Sequence, residues 1–303
     1  MISSIESAKN LGLNSVRITG GEPFLRDEVV GELLRCLDRM DIDTLVETNG
    51  TLFSAHTKKI MTEVQPKVMI SMDGASSRGF ASLRGNPHLF DSVVENIEFL
   101  RDSGLSVVCS MTIHRGNMNE LDDFVNLTQN LGTARLLLYI EVGRARNMDS
   151  KLTTQEMVQL IKKMNALMEE NPKISSNLPF ALLDPDVSYY ACKAGRESLA
   201  LLPDGSVSFC AYSAFEKDMV AGNIKETSLE EILENGEIFQ QFHKIESSLQ
   251  GVCKLCIFKK YCQGSCRAWA YDAYGSLFAP YPLCQRLYEE GFFPKEYLWE
   301  EKV

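Results

Sequence analysis

Apolar and polar positions along the chain fall into two kinds of segment. Five short, mainly apolar runs, Ser15–Thr19, Thr44–Thr48, Val68–Ser71, Ser106–Thr112 and Arg135–Val142, read as strands. Between them, Glu28–Met40, Ser54–Glu63, Ser92–Ser103 and Asn119–Leu131 have the mixed patterning of helices, as does Met1–Leu11 ahead of the first strand. Strand and helix in strict alternation predict a parallel α/β sheet or barrel. Turn residues follow the strands at their carboxyl ends, as Gly20-Gly21, Asn49-Gly50, Asp73-Gly74 and Gly143. That is the edge where ligands bind in open sheets and barrels. Thr153 and Glu156 form a capping box that starts a helix running to about Glu170, after which Asn171-Pro172 and Ser175-Ser176-Asn177 read as a boundary.

The pattern changes beyond that point. Leu199–Leu202, Pro203-Asp204-Gly205 and Ser206–Cys210 predict two short strands with a tight turn, presenting Cys210 at the exit of the second. Ser228 and Glu231 cap a helix to about Glu234, and cysteine-rich loops are expected after it. The division is therefore residues 1–174, a barrel-like domain, and residues 175–303, a metal-stapled domain. No internal repeat or low-complexity tract is seen.

Composition adds exclusions. The chain has 303 residues, 45% hydrophobic and 24% charged, which is ordinary for a folded domain pair. Its 31 basic and 41 acidic residues give a net charge of −10, the wrong sign for counterion release on a phosphate backbone, so nucleic acid is not expected as a partner. No run is long and apolar enough to span a membrane, and the first residues lack the apolar core of a secretory signal. A cytoplasmic protein without a membrane partner is expected.

The chemistry lies in the cysteines. Of nine, Cys36 and Cys109 sit alone in helix-like and strand-like runs and read as small core residues. The other seven, Cys192, Cys210, Cys253, Cys256, Cys262, Cys266 and Cys284, crowd the last third. An odd count in a reducing compartment argues against a disulfide framework. The run Cys253-x2-Cys256-x5-Cys262-x3-Cys266 brings successive sulfurs to one small inorganic centre. Spacing leaves two metals open. A zinc site uses four thiolates and leaves three, whereas two four-iron clusters need eight ligands and are one short.

Two motifs together carry a family resemblance. Ile18-Thr19-Gly20-Gly21-Glu22-Pro23-Phe24-Leu25-Arg26 resembles the GGE motif of radical S-adenosylmethionine (SAM) enzymes. The seven late cysteines, as Cys192-x12-Gly205-x4-Cys210, the run above and Cys284, are similar to the SPASM auxiliary-cluster domain in every interval. The resemblance extends from about Ser3 to about Tyr288 and favours iron–sulfur over zinc. Two glycines after a buried strand permit close backbone approach to a ligand, and a carboxylate accepts hydrogen bonds from an ammonium group. The resemblance implies that Gly20, Gly21, Glu22 and Pro23 hold the methionine end of SAM. It likewise implies that Thr48 and Asn49 lie near the cofactor, that Ser71 contacts its carboxylate or ribose and Arg84 reaches the carboxylate, with Asp73 in the same set, and that Val142–Ala145 lies near the adenine. For Asp73 and Arg84 a turn residue and a surface cation are the competing reading. Cys192, Cys210 and Cys266 are implied as ligands of one auxiliary [4Fe-4S] cluster, and Cys253, Cys256, Cys262 and Cys284 of a second. Asp186, Tyr189 and Tyr190 lie near the first set, and nothing in the sequence selects one of them as its fourth ligand.

One departure matters. Members of the family hold their SAM-binding [4Fe-4S] cluster on a Cys-x3-Cys-x2-Cys loop, and this sequence contains none. The expectation is a partial (β/α)6 TIM-like barrel whose first strand and cluster loop would precede Met1, as in an N-terminally truncated form, followed by a small cysteine-rich auxiliary-cluster domain. Such a chain should be inactive as given, and an uncovered sheet edge should make it prone to aggregate. The expected activity is that of a radical SAM/SPASM oxidoreductase or maturase that modifies a peptide or small-molecule cofactor precursor by hydrogen-atom abstraction, served by a reductant such as flavodoxin or ferredoxin. The alternative is a non-enzymatic iron–sulfur protein for electron transfer or binding, with a zinc-stapled interaction module behind it. The stretch Cys262–Tyr271 with Pro282-Leu283-Cys284 looks most like the peptide-cofactor and haem-modifying branches.

Overall fold

In a computed structural model, residues 2–139, 151–185, 187, 189, 192–212 and 216–299 are described. The expected Val142–Ala145 edge, Asp186 and Tyr190 lie outside them. The chain divides into two compact units, one of residues 1–139 and 170–176, the other of residues 140–169 and 177–303.

The first unit is built on strands β1 (Ser15–Ile18), β2 (Asp43–Thr48), β3 (Lys67–Ser71), β4 (Val107–Ile113), β5 (Thr133–Leu138) and β6 (Ser175–Ser176), which pair in parallel in chain order. Helices α1 (Ile2–Asn10), α2 (Asp27–Arg39), α3 (Ala55–Val64), α4 (Ser77–Arg84), α5 (Phe90–Asp102) and α6 (Leu121–Leu131) fill the connections. This is the α/β partial-barrel architecture expected. Val68, Ile70, Cys109, Met111 and Leu136 are fully buried, as are Leu34 and Leu37 of α2, Ile60 and Met61 of α3, and Ile97 and Leu100 of α5. The β3 sequence Lys-Val-Met-Ile-Ser is buried at three successive positions, because a parallel strand is covered on both faces. Cys36 and Cys109 are both buried.

Two details depart from the sequence reading. Ser175–Ser176, not among the strands read from the sequence, forms a sixth one paired with Arg135 and Leu136, and the first unit ends at Ser176. Helix α4 had no periodic signal; the Ser76 hydroxyl caps it by accepting from Gly79 N at 3.1 Å.

The second unit opens with α7 (Thr154–Glu170), whose capping box forms as expected: Glu156 N donates to Thr153 Oγ1 at 3.2 Å and Thr153 N to Glu156 Oε2 at 2.6 Å. Asn165 of α7 donates to Leu182 O and accepts from Asp184 N, which ties that helix to the chain leading into the cysteine region. The hairpin β7 (Ala200–Leu201) and β8 (Ser206–Ser208) is antiparallel, and a third strand, β9 (Val220–Asn223), extends it. After the Ser228-capped α8 (Leu229–Asn235), short helices replace the expected loops: α9 (Glu237–Phe242), α10 (Ile245–Ser248), α11 (Gly251–Leu255), α12 (Lys259–Cys262), α13 (Arg267–Tyr274) and α14 (Pro282–Glu289). Most of them run for only four to eight residues, too short for hydrophobic periodicity to declare them.

Candidate functional site

In the first unit, the carboxyl ends of neighbouring parallel strands share one edge. The loop after β1 brings Glu22 over the end of β2. One carboxylate oxygen accepts from Thr48 Oγ1 at 2.7 Å and from Phe24 N at 3.1 Å, and the other from Asn49 N at 2.8 Å. Gly20, Gly21, Glu22, Pro23, Thr48 and Asn49 are thus held together by one side chain. Pro23 starts a short 3-10 turn capped by Glu22 itself, which fixes the chain's exit from the glycine pair.

The glycines divide by what a Cβ would meet. At Gly20, with φ of +144°, and at Gly21 a Cβ would project into space with no atom within 4 Å. At Gly74 it would meet Phe80 N at 2.4 Å, and at Gly50 the Ile70 side chain at 3.0 Å. Gly50 and Gly74 are therefore demanded by the protein's own packing, whereas the Gly20-Gly21 pair faces open space, as a backbone that a ligand approaches closely must.

Asp73 and Arg84 form a second set. Asp73, 1% exposed and at φ +57°, receives Arg84 Nε at 2.6 Å together with the guanidinium Nη2, and accepts from Thr112 N at 2.6 Å. Ser71 ends β3, half-buried, opposite Ser110. Three residues not singled out from sequence brace this corner. Asn117 donates to Asp73 O and Thr112 O, at 2.8 and 2.9 Å. Glu120 accepts from Ala75 N, Ser76 N and Ser76 Oγ. His114 accepts from Gly116 N through Nδ1, so its Nε2 carries the proton and donates to Ser82 Oγ. Burial holds the His114 imidazole below its ordinary value, against the opposing pull of Asp73. No sequence spacing flags the contacts to Asp73, to Ala75–Ser76 and to Ser82, because they join segments more than thirty residues apart.

In the second unit the seven late cysteines are all free thiols and gather in two groups. Cys253, Cys256, Cys262 and Cys284 line one cavity with Pro179, Lys259 and Tyr281. Burial pushes the Cys284 thiol well up, and the nearby sulfurs of Cys253, Cys262 and Cys256 push the same way. Burial likewise lifts Cys253, and takes Cys256 to about 11. Cys266 is lifted to about 12 by burial, with Cys192 and Cys210 adding to the effect and the Trp269 N–H opposing it. Cys192 is exposed and Cys210 half-buried. Tyr189 is hydrogen-bonded to Cys262 and also feels Cys192; burial first and these sulfurs second raise its phenol. Among the described residues no three His, Cys, Asp or Glu side chains converge as they would on a single ion.

Arg267, directly after Cys266, was not foreseen. It is 4% exposed, donates through Nη1 to Leu277 O and Ala279 O and through Nη2 to Gly264 O, and its Nε has no partner. Burial pulls its pKa down, and the sulfurs of Cys253, Cys266 and Cys262 oppose that pull. A buried cation set among thiols, with one donor left over, fits an anionic centre held by those sulfurs. The donor set therefore suits thiolate-bound metal, and the Gly20–Glu22 cradle suits a ligand bearing an ammonium group.

A parallel α/β unit with this cradle at its carboxyl edge, joined to a unit that gathers seven thiols, has the architecture of a radical SAM enzyme with an auxiliary iron–sulfur domain. The comparisons agree: the Radical SAM superfamily profile matches residues 2–128, the SPASM iron-sulfur cluster-binding domain profile matches residues 192–257, and the chain belongs to the radical SAM/SPASM family. It is 26% identical over 302 residues to the AdoMet-dependent heme synthase of Oleidesulfovibrio alaskensis, covering 92% of this chain and 76% of that protein. It is 29% identical over 242 residues to a probable GTP 3',8-cyclase of Saccharolobus islandicus, covering 75% of this chain and 78% of that one. Among solved structures, Streptococcus suis SuiB bound to S-adenosylmethionine superposes with a TM-score of 0.75 at 17% identity, over 94% of this chain and 69% of that one. That likeness concerns the fold. Among the described residues no helix is long and apolar enough to cross a membrane.

Proposed function

We propose that the protein is a maturase that modifies a peptide or cofactor precursor by hydrogen-atom abstraction. Glu22, oriented by Thr48 and Asn49, receives the methionine ammonium of SAM above the Gly20-Gly21 backbone, with Ser71 and the Arg84–Asp73 pair at the same strand edge. Reduced there by one electron from a SAM-binding [4Fe-4S] cluster, for which these 303 residues contain no Cys-x3-Cys-x2-Cys loop, SAM would release methionine and supply the 5′-deoxyadenosyl radical that takes the hydrogen atom. Cys253, Cys256, Cys262 and Cys284 hold one auxiliary [4Fe-4S] cluster, and Cys192, Cys210 and Cys266 hold another. A cytosolic reductant supplies electrons. A haem precursor is the first substrate to test, because the likeness to a heme synthase runs along 92% of the chain.

The observation that carries this reading is the grouping of the thiols. Four line one cavity, Cys266 feels Cys192 and Cys210, and buried Arg267 feels sulfurs of both sets. Seven sulfurs in two groups exceed what one zinc takes. The test is iron, acid-labile sulfide and zinc in the chain reconstituted without oxygen. Roughly eight irons with matching sulfide are expected. One or two zincs with negligible sulfide would refute the reading and leave a zinc-stapled interaction module. Because no Cys-x3-Cys-x2-Cys occurs in the 303 residues, SAM binding is best read directly by equilibrium dialysis rather than through turnover.

A further inference from the structure

From Ser247 to Tyr271 the chain runs 25 residues without an aspartate or glutamate, although its net charge is −10. The cations in this stretch are Lys254, Lys259, Lys260 and Arg267. Arg267 is buried and bonded to backbone carbonyls. The three lysines are different: Lys254 and Lys260 are exposed and Lys259 is half-exposed. None of the three is in an ion pair among the described residues. A basic face on an acidic protein is a local choice of charge, not a by-product of composition.

That face has a fixed shape. The segment Tyr297–Trp299 lies antiparallel to Leu255–Ile257, with Ile257 N donating to Tyr297 O at 2.9 Å and Trp299 N to Leu255 O at 2.8 Å. This pairing sets the indole of Trp299, 62% exposed, beside Lys254, Leu255 and Lys259 in one open groove. Exposed Tyr261 and Ile257 stand on the same cysteine loop. Within Pro294–Trp299 the single acid, Glu296, is preceded by Lys295, and Glu300, Glu301 and Lys302 follow in the sequence. Lys259 also lines the cavity of Cys253, Cys256, Cys262 and Cys284, so groove and thiol cavity share a lining residue.

We infer that the groove of Lys254, Lys259 and Trp299, with exposed Lys260 next in the chain, docks an acidic electron-carrier protein. The inference rests on the reading of the four thiols as cluster ligands. Positive charge selects and steers a partner of opposite sign, and a small patch of lysines around one exposed aromatic suits the brief, small-area contacts of redox proteins. The groove shares Lys259 with the lining of the thiol cavity, which puts the docking surface next to the centre that would receive the electron. The carrier loses one electron and the thiol-held centre gains it, with no bond made or broken.

The test uses the reconstituted chain and its Lys254→Gln/Lys260→Gln variant, with a flavodoxin as the probe. Binding is read by surface plasmon resonance between about 20 mM and about 300 mM salt, and reduction is followed with flavodoxin hydroquinone and with photoreduced deazaflavin, a small reductant. The variant should bind flavodoxin ~10-fold more weakly at low salt and lose most of the salt dependence, with iron content and the deazaflavin rate unchanged. Trp299→Ala should weaken binding while leaving the salt dependence in place. Flavodoxin binding that is the same in variant and wild type would overturn the proposal. So would a wild-type chain that binds a polyglutamate peptide but not flavodoxin, which would instead mark an acidic-peptide site. Iron and sulfide content reports separately on the ligand assignment: if wild type holds none, that assignment fails whatever the binding shows.

Discussion

Glu22 accepts a hydrogen bond from the Thr48 hydroxyl at 2.7 Å, and through this contact the loop after β1 is fastened to the end of β2. The same carboxylate takes the Asn49 N–H, so the group expected to meet the SAM ammonium is already oriented by the protein. Hydrogen bonds to a charged group contribute about 1.5–3 kcal/mol each. Glu22→Gln keeps one carbonyl acceptor and removes the charge. It should weaken SAM binding by at least ~10-fold in equilibrium dialysis, with a smaller loss for Thr48→Val. Equal SAM affinity in Glu22→Gln and wild type would exclude the carboxylate from the ligand site.

The two kinds of glycine predict opposite phenotypes. Gly21→Ala should melt near the wild-type temperature, since its Cβ meets nothing, yet bind SAM poorly because it fills the cradle. Gly74→Ala should lower stability outright, because the Phe80 backbone lies 2.4 Å from the new atom. Thermal melts beside dialysis separate the two.

The Asp73–Arg84 pair joins a carboxylate that is 1% exposed to a guanidinium that is 32% exposed. Breaking a buried pair costs about 3–5 kcal/mol, and the partial exposure of Arg84 puts this one toward the lower end or below it. Arg84→Met should therefore destabilise more than Asp73→Asn, and the double variant should recover part of the loss, since no unpaired charge remains. Denaturant unfolding of the four chains measures the coupling. If Arg84→Met is as stable as wild type, the pair is not the brace described.

His114 gives a pH signature. Its pKa in the fold lies below the ordinary histidine value, so the unfolded chain takes up a proton that the folded chain does not. Its contribution to stability is present above the unfolded value and is lost as pH falls toward the folded one. Protonation of Nδ1 also forfeits the bond from Gly116 N. His114→Asn should be less stable at neutral pH and should show a shallower fall in melting temperature between about pH 7 and pH 5. A variant curve parallel to wild type would remove His114 from the acid response.

Arg267 places positive charge among the sulfurs of Cys253, Cys262 and Cys266. A cation beside a centre that gains an electron favours the reduced form, so Arg267→Gln should shift reduction to more negative potential in a dye-monitored titration. An unchanged potential, at equal iron content, would make the arginine a packing element only.

Much of this was legible in the sequence, for physical reasons that can be named. Helices α2, α3, α5 and α6 and strands β2 to β4 declare themselves because each is long enough to bury a stripe or a face, and burial forces periodicity on the residue choice. The capping box at Thr153 and Glu156 and the cap at Ser228 are legible because their partners are three residues apart. So are the glycine-carboxylate turn and the seven thiols, whose chemistry resides in residue type and local spacing. Helix α4 and strand β6 carry no such mark: a Gly-containing eight-residue helix exists because Ser76 and Glu120 hold its first turn, and Ser175–Ser176 is a strand because Arg135 and Leu136 offer it a ladder. Which cysteines share a cavity, which glycines face open space, that Arg267 is buried near the thiols, and that Lys259 lines both the groove and the thiol cavity were decided by the tertiary structure alone. Those facts join residues far apart in the chain, and only packing sets their distances.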